Sequence, residues 1–119
     1  MVEARAEAKY IRTSAHKAGL VMDQIRGKQA GAALQILRFS KKGVARDIEK
    51  VLRSAMANAV QLADRREKRR LDEDDLVVST CFANQGPTLK RIRPAPMGRA
   101  FRILKRTAHL HVRVAEKEN

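Results

Sequence analysis

Cysteine, aromatic residues and, over a long stretch, acidic residues are scarce in this 119-residue sequence, which has one cysteine, no tryptophan, one tyrosine and three phenylalanines. The single Cys81 rules out an intrachain disulfide framework, so a reducing, cytoplasmic compartment is expected. It falls in an apolar run, where a small buried hydrophobe is the favoured reading over a reactive thiol. So few rings argue against a stacking platform for single-stranded nucleic acid, which needs several exposed aromatics. No run approaches the ~20 apolar residues of a membrane span. The N-terminus lacks the apolar core of a signal peptide, and Glu3 and Glu7 argue against a transit peptide.

The most informative scarcity is of acid. The 40 residues from Leu76 to Ala115 contain no Asp or Glu. Within them, Gly86–Val114 carries eight cations: Lys90, Arg91, Arg93, Arg99, Arg102, Lys105, Arg106 and Arg113. Net charge is +13, of which this segment holds +8; the remaining residues have 18 basic against 13 acidic side chains. The excess is therefore concentrated in one arm, and a positive block of that density repels itself unless a polyanion neutralises it. Near its centre, Pro94-Ala95-Pro96-Met97-Gly98 interrupts any helix or inner strand. The pattern predicts a basic ribbon folded over a Pro/Gly tip. Arms of roughly ten residues at about 3.3 Å each reach roughly 30 Å. A two-stranded ribbon of that length is marginal alone in water.

The rest of the sequence reads as one α+β domain, with three helices packed on a small three-stranded antiparallel sheet and the long hairpin protruding from it. Residues 3–11 alternate charged and small or aromatic side chains and predict a first strand. Ser14 caps a helix to about Arg26, with Ala18, Val21, Met22 and Ile25 inward and Gly27 just beyond its end. A short helix is expected from about Lys28 to Leu37. A long one follows from about Val44 to Arg66, its stripe running through Ile48, Val51, Leu52, Ala55, Ala59 and Leu62. Strands are expected over Leu76–Phe82 and, after the Gly86-Pro87 break, over about Arg102–Val114. In the latter, Ala108, Leu110, Val112 and Val114 alternate with His109, His111 and Arg113. The expected division is a globular body over about 1–85 and 103–119 and a hairpin over about 86–106.

Catalytic readings are weak. Asp72-Glu73-Asp74-Asp75 raises a Mg²⁺-dependent nuclease as the alternative in another class, but consecutive acids in a turn point apart rather than at one ion. A cap or solvated loop is favoured. His109-x-His111 places two imidazoles on one strand face, an acceptable zinc geometry with no third ligand nearby. Facing phosphate beside Arg113 is the better reading. No serine sits in a nucleophile elbow. No catalytic residue, metal or cofactor is expected. The RRM motif and zinc-finger spacing are absent, and no helix pairs a basic face with aromatic membrane anchors. A basic, aromatic-poor surface fits shape and phosphate recognition of folded RNA. The separated groups Lys9 and Arg12, His16 and Lys17, and Arg26 and Lys28 are candidate RNA contacts besides the ribbon, each weighed against a solvated face. A free-standing RNA or architectural nucleic-acid binder remains the other alternative.

Several segments in combination resemble the bacterial form of the ribosomal protein L twenty-two family. They are Gly86-Pro87-Thr88-Leu89-Lys90-Arg91, Gly98-Arg99-Ala100 and Ile103-Leu104-Lys105-Arg106-Thr107-Ala108-His109-Leu110. Upstream, Ser14-Ala15-His16-Lys17, Ile25-Arg26-Gly27-Lys28 and Ser54-Ala55-Met56-Ala57-Asn58-Ala59 agree, so the match runs from about Tyr10 to Val114. The resemblance implies a structural constituent of the large ribosomal subunit that binds 23S ribosomal RNA and supports subunit assembly. It also implies a hairpin lining the nascent-polypeptide exit tunnel, beside ribosomal protein L four and the nascent chain. No membrane and no homo-oligomer are expected. By position, Lys90, Arg91, Arg93, Arg99, Arg102, Lys105 and Arg106 are ribbon contacts to RNA, and Pro94, Ala95, Pro96, Met97 and Gly98 form the tunnel-facing tip. Members often carry Pro-Arg-Ala and then a basic or polar residue here; Ala95 and Met97 make this tip less basic.

Overall fold

The computed structural model describes residues 2–94, 96–98 and 100–117, with 93, 94, 96 and 100–103 described by their backbone alone. Strand β1 (Glu3–Ile11) leads through a turn into α1 (Ala15–Ile25), α2 (Ala30–Arg38) and α3 (Val44–Glu67). A 3-10 turn at Glu73–Asp75 opens β2 (Leu76–Gln85), followed by β3 (Leu89–Pro94), β4 (Ala100–Lys105) and β5 (Ala108–Glu116). The body sheet is antiparallel in the order β1-β5-β2, and β3 and β4 form a second, two-stranded sheet.

The local signals behave as physical chemistry requires. Ser14 holds an extended backbone and its hydroxyl accepts the Lys17 N–H at 3.2 Å, satisfying one orphan donor of α1. Gly27 follows the helix at φ +79, where a Cβ would be strained. The α3 stripe lies inside: Ile48, Val51, Leu52, Ala55 and Ala59 are buried, and Leu62 near its end is partly so. That helix lies across β1 and β5, while α1 packs on β2. Alanines suit the close approach of α3 to β1: Ala55 and Ala59 of the helix and Ala4 of the strand are buried in the core, with Ala6 and Ala8 packed against it. The Asn58 amide also donates to the Arg5 carbonyl at 3.0 Å, tying α3 to the edge strand.

Three boundaries differ from the sequence reading, each for a tertiary reason. Helix α2 starts at Ala30 rather than Lys28, because residues 27–29 pair with β2: Gly27 N–H donates to Val78 O, Val78 N–H to Lys28 O, and Gln29 bridges Val77. Strand β2 continues to Gln85, since β5 offers it partners as far as Ala108. The expected single strand from Arg102 to Val114 is two strands, broken at Arg106-Thr107. There the buried Thr107 turns its backbone carbonyl to Gly86 and its hydroxyl to Pro87.

The radius of gyration, 17.8 Å, exceeds the about 13.5 Å of a compact domain this size. The principal extents are 68 × 26 × 16 Å.

Candidate nucleic-acid interface

The hairpin is launched from a tight junction. Gly86 N–H donates to Thr107 O at 2.9 Å, and the Thr107 hydroxyl donates to Pro87 O at 2.5 Å. A Cβ on Gly86 would lie 2.7 Å from Thr107 Oγ1 and 3.2 Å from His109 Cε1 and Nε2. Glycine is thus required by close approach of the two arms, and the junction fixes the direction in which the arms leave the body.

Beyond it, the ladder runs in register from Leu89↔Lys105 through Lys90↔Leu104, Arg91↔Ile103, Ile92↔Arg102 and Arg93↔Phe101 to Pro94↔Ala100. Six pairs span roughly 20 Å, shorter than the reach expected from sequence because residues 86–88 and 106–107 lie outside the ladder. Pro94 is tolerated as a strand residue because a two-stranded ribbon has only edges. The tip turns through Met97 (φ +66) and Gly98 (φ +71), and the Met97 side chain is 95% exposed.

Of the ribbon cations, Lys90, Arg91 and Arg106 are exposed and Lys105 is half-buried; none has a carboxylate partner among the described residues. Arg91 donates to the Lys90 carbonyl at 3.0 Å. Arg93, Arg102, Pro94 and Pro96 are described by backbone only, and Arg99 and Ala95 lie outside the described residues. The ribbon therefore gathers its cations on one narrow element without acids to neutralise them.

The body candidates are more dispersed and several are engaged within the chain. Arg26 sits 2.5 Å from Asp23 and donates to the Cys81 carbonyl at 2.7 Å, so it pins the end of α1 to β2. The pKa of its guanidinium is raised, chiefly by the hydrogen bond to Asp23 and next by the Cys81 side chain. Lys9 lies 3.8 Å from Glu7, and Arg113 3.3 Å from Glu3. Arg12, His16, Lys17 and Lys28 are exposed. His109 and His111 do not turn toward a common ion. His109 accepts the Tyr10 N–H on Nδ1 at 3.2 Å, while His111 stacks on Phe82 and lies 3.2 Å from Glu7.

The acidic turn is structural glue. Asp72 caps the Asp74 N–H at 3.1 Å, the Asp74 carbonyl accepts Gln29 Nε2 at 2.6 Å, and the Asp75 carbonyl accepts Lys117 N–H at 2.7 Å. Cys81 is buried with its thiol on the Met22 carbonyl at 3.3 Å. Burial pushes the thiol up in pKa, and the nearby Arg26 offsets only part of that rise.

Sequence reasoning passed over Arg5, Arg65 and Arg66, which share a groove between β1 and α3 with Arg113. Nothing in their spacing announces this, because the groove is made by elements about 60 residues apart in the chain.

The chain matches the profile of the family described as Ribosomal protein L22p/L17e over residues 6–115. It is 51% identical over 117 residues to the large ribosomal subunit protein uL22 of Solibacter usitatus (strain Ellin6076), covering 98% of this chain and 99% of that protein. The uL22 protein of Magnetococcus marinus (strain ATCC BAA-1437 / JCM 17883 / MC-1) is 51% identical over 114 residues, covering 96% of each. That of Clostridioides difficile (strain 630) is 46% identical over 117 residues, covering 98% of this chain and 100% of that protein.

Proposed function

This chain belongs to the ribosomal protein L22p/L17e family, and from that premise we propose that it clamps large-subunit (23S) ribosomal RNA with its β3–β4 hairpin. As a family member it is a structural constituent of the large ribosomal subunit in the cytoplasm, and not an enzyme. The observation that carries the RNA reading is the hairpin itself. A two-stranded ribbon presents Lys90, Arg91 and Arg106 to solvent within a stretch devoid of acid.

The mechanism is electrostatic. Each cation that meets a phosphate releases condensed counterions, so affinity falls steeply with salt. Self-repulsion along the ribbon is relieved in the same step, which couples RNA binding to ordering of the arm. The body anchors the ribbon through the Gly86–Thr107 junction. Lys9, Arg12, His16, Lys17, Arg26, Lys28, His109, His111 and Arg113 add contacts from the body, and Arg93, Arg99 and Arg102 add to those of the ribbon. The tip, residues 94–98, reaches the exit-tunnel wall near ribosomal protein L four and meets the nascent chain, where the exposed Met97 offers an apolar surface. Recruiting RNA in this way supports subunit assembly.

The test is sedimentation of tagged protein with large subunits before and after a high-salt wash. A second variant replaces residues 89–105 with a short Gly/Ser linker. Stoichiometric retention of the natural chain, lost with the ribbon while the body still unfolds cooperatively on heating, is the expected result. Retention without the ribbon, or the natural chain in light fractions only, refutes the clamp.

A further inference from the structure

Among the described residues, sulfur is sorted by position. Met22, Met56 and Cys81 are buried in the body. Met97 is 95% exposed, at the end of the β3–β4 ladder farthest from the junction with the body. Between Gly86 and Arg106 there is no other Met, and no Cys, His, Tyr or Trp. The other tip residues, Pro94, Ala95, Pro96 and Gly98, carry no reactive side chain. An oxidant that reaches the ribbon therefore meets one soft nucleophile, and it lies at the tip.

Neither the turn nor the packing asks for a thioether there. Met97 takes φ +66 and ψ +30 and Gly98 takes φ +71, so two left-handed residues in succession turn the chain. Glycine adopts that region freely and Asn more readily than most residues, whereas a longer side chain is strained in it. Backbone outliers of this kind tend to mark functional positions. A side chain so exposed also contributes no core packing. What methionine brings to the position is its chemistry: a polarizable, apolar group that oxidation makes polar.

We propose that Met97 is a reversible oxidation site, at which a hydroperoxide converts the apolar end of the ribbon into a polar one. The thioether sulfur attacks one peroxide oxygen and the O–O bond breaks. That oxygen stays on sulfur as the sulfoxide, its proton passes to the other oxygen, and water leaves. Sulfur gives up two electrons and the peroxide takes them. A methionine sulfoxide reductase reverses the step: its dithiol is oxidised to a disulfide and the oxygen departs as water.

The consequences are confined to the tip. The sulfoxide is neutral, so the charge of Lys90, Arg91 and Arg106 and their hold on phosphate are unchanged. The sulfur atoms of the body are protected by burial, and burial also disfavours the reactive thiolate of Cys81. That oxidation alters contact with the nascent chain rests on the tunnel reading of the tip given above; the oxidation itself does not.

The test exposes the full chain, free and assembled on large subunits, to hydrogen peroxide with a metal chelator, and follows intact mass and peptide maps over time. One oxygen atom should add at Met97 more than about 100-fold faster than at Met22 or Met56, since buried sulfur reacts only through opened states. Methionine sulfoxide reductase with a dithiol should remove it. Oxidation of the natural chain should leave its retention on subunits, and the salt dependence of that retention, as they were. On translating ribosomes, photo-crosslinks to this protein from leucine analogues in an apolar nascent chain should fall on oxidation and recover after the reductase. In Met97→Leu ribosomes the fast addition should be lost and the crosslink yield should no longer respond to peroxide. Met97→Gln should show the low yield without peroxide. Addition at Met97 no faster than at Met22 and Met56, or protection of Met97 on assembled subunits, overturns the site. Selective, reversible oxidation with an unchanged crosslink yield overturns its effect at the tip. Absence of crosslinks before any oxidation refutes the tunnel reading instead, while selective oxidation on subunits still upholds the site.

Discussion

Gly86→Ala tests whether the hairpin junction is as closely packed as its geometry indicates. The new methyl would sit 2.7 Å from Thr107 Oγ1, with His109 Cε1 and Nε2 at 3.2 Å. Thr107 cannot swing aside freely: it is β-branched, 5% exposed, and its hydroxyl is bonded to Pro87 O at 2.5 Å. Rotating it forfeits a hydrogen bond with a net contribution of about 1 kcal/mol. Separating the arms instead stretches the Gly86–Thr107 backbone bond, and overpacking of this kind costs about 1–3 kcal/mol. The reduced freedom of alanine in the unfolded chain returns about 0.4–1 kcal/mol. The balance is a destabilisation of about 0.5–2.5 kcal/mol, or about 2–10 °C in Tm for a domain of this size. Urea and thermal unfolding followed by circular dichroism measure it. In a double-mutant cycle, Thr107→Ala removes the obstructing oxygen, so the pair should recover at least about 1 kcal/mol relative to additivity. A Gly86→Ala variant within about 0.5 kcal/mol of the natural protein, or a cycle with no coupling, refutes the packing argument.

Two predictions concern ionisation. Cys81 should resist thiol reagents at pH 8 in the native state, labelling only as fast as the protein opens, because burial raises its pKa more than Arg26 lowers it; rapid stoichiometric labelling would contradict this. Glu116 is held below the ordinary carboxylate range, chiefly by its hydrogen bond from Arg69 and also by one from Val2 N–H. A carboxylate with a depressed folded pKa stabilises the fold above its unfolded value and loses that contribution as pH falls through the folded one. Stability should therefore decline from about pH 4.3 downward, and Glu116→Gln should flatten that acid limb. Arg69→Gln should flatten it further, since Arg69 also depresses Glu67. Identical acid titrations of all three proteins would remove the linkage.

The elements were legible where a signal is local. Ser14 and Gly27 bracketed α1, the α3 stripe repeated at helical spacing, and the acid-free segment with its Pro/Gly break marked the ribbon. What stayed hidden depends on contacts between distant segments. The break at Thr107 exists because Gly86 and Pro87 bond to it, and no pattern within residues 102–114 reveals that. Residues 28 and 29 read as helix until β2 is there to pair with them. Composition gave no hint that two of the sparse rings meet histidines of β5, which the bulge at Tyr10 and the register Phe82↔His111 bring about. The arginine groove was equally silent, because Arg5 and Arg65 meet only after α3 folds across β1.

The strand order β1-β5-β2 has a consequence for synthesis. The strand at the centre of the body sheet is the last to be made, and both of its neighbours precede it. Until Ala108–Glu116 emerges, β1 has no strand partner, β2 has only its short pairing with residues 27–29, and the apolar faces prepared by α1 and α3 have no completed sheet to cover. A chain interrupted after the ribbon would expose two sticky edges and a highly charged arm together. The body sheet is therefore complete only once β5 has been made, and products truncated before it should aggregate or be degraded.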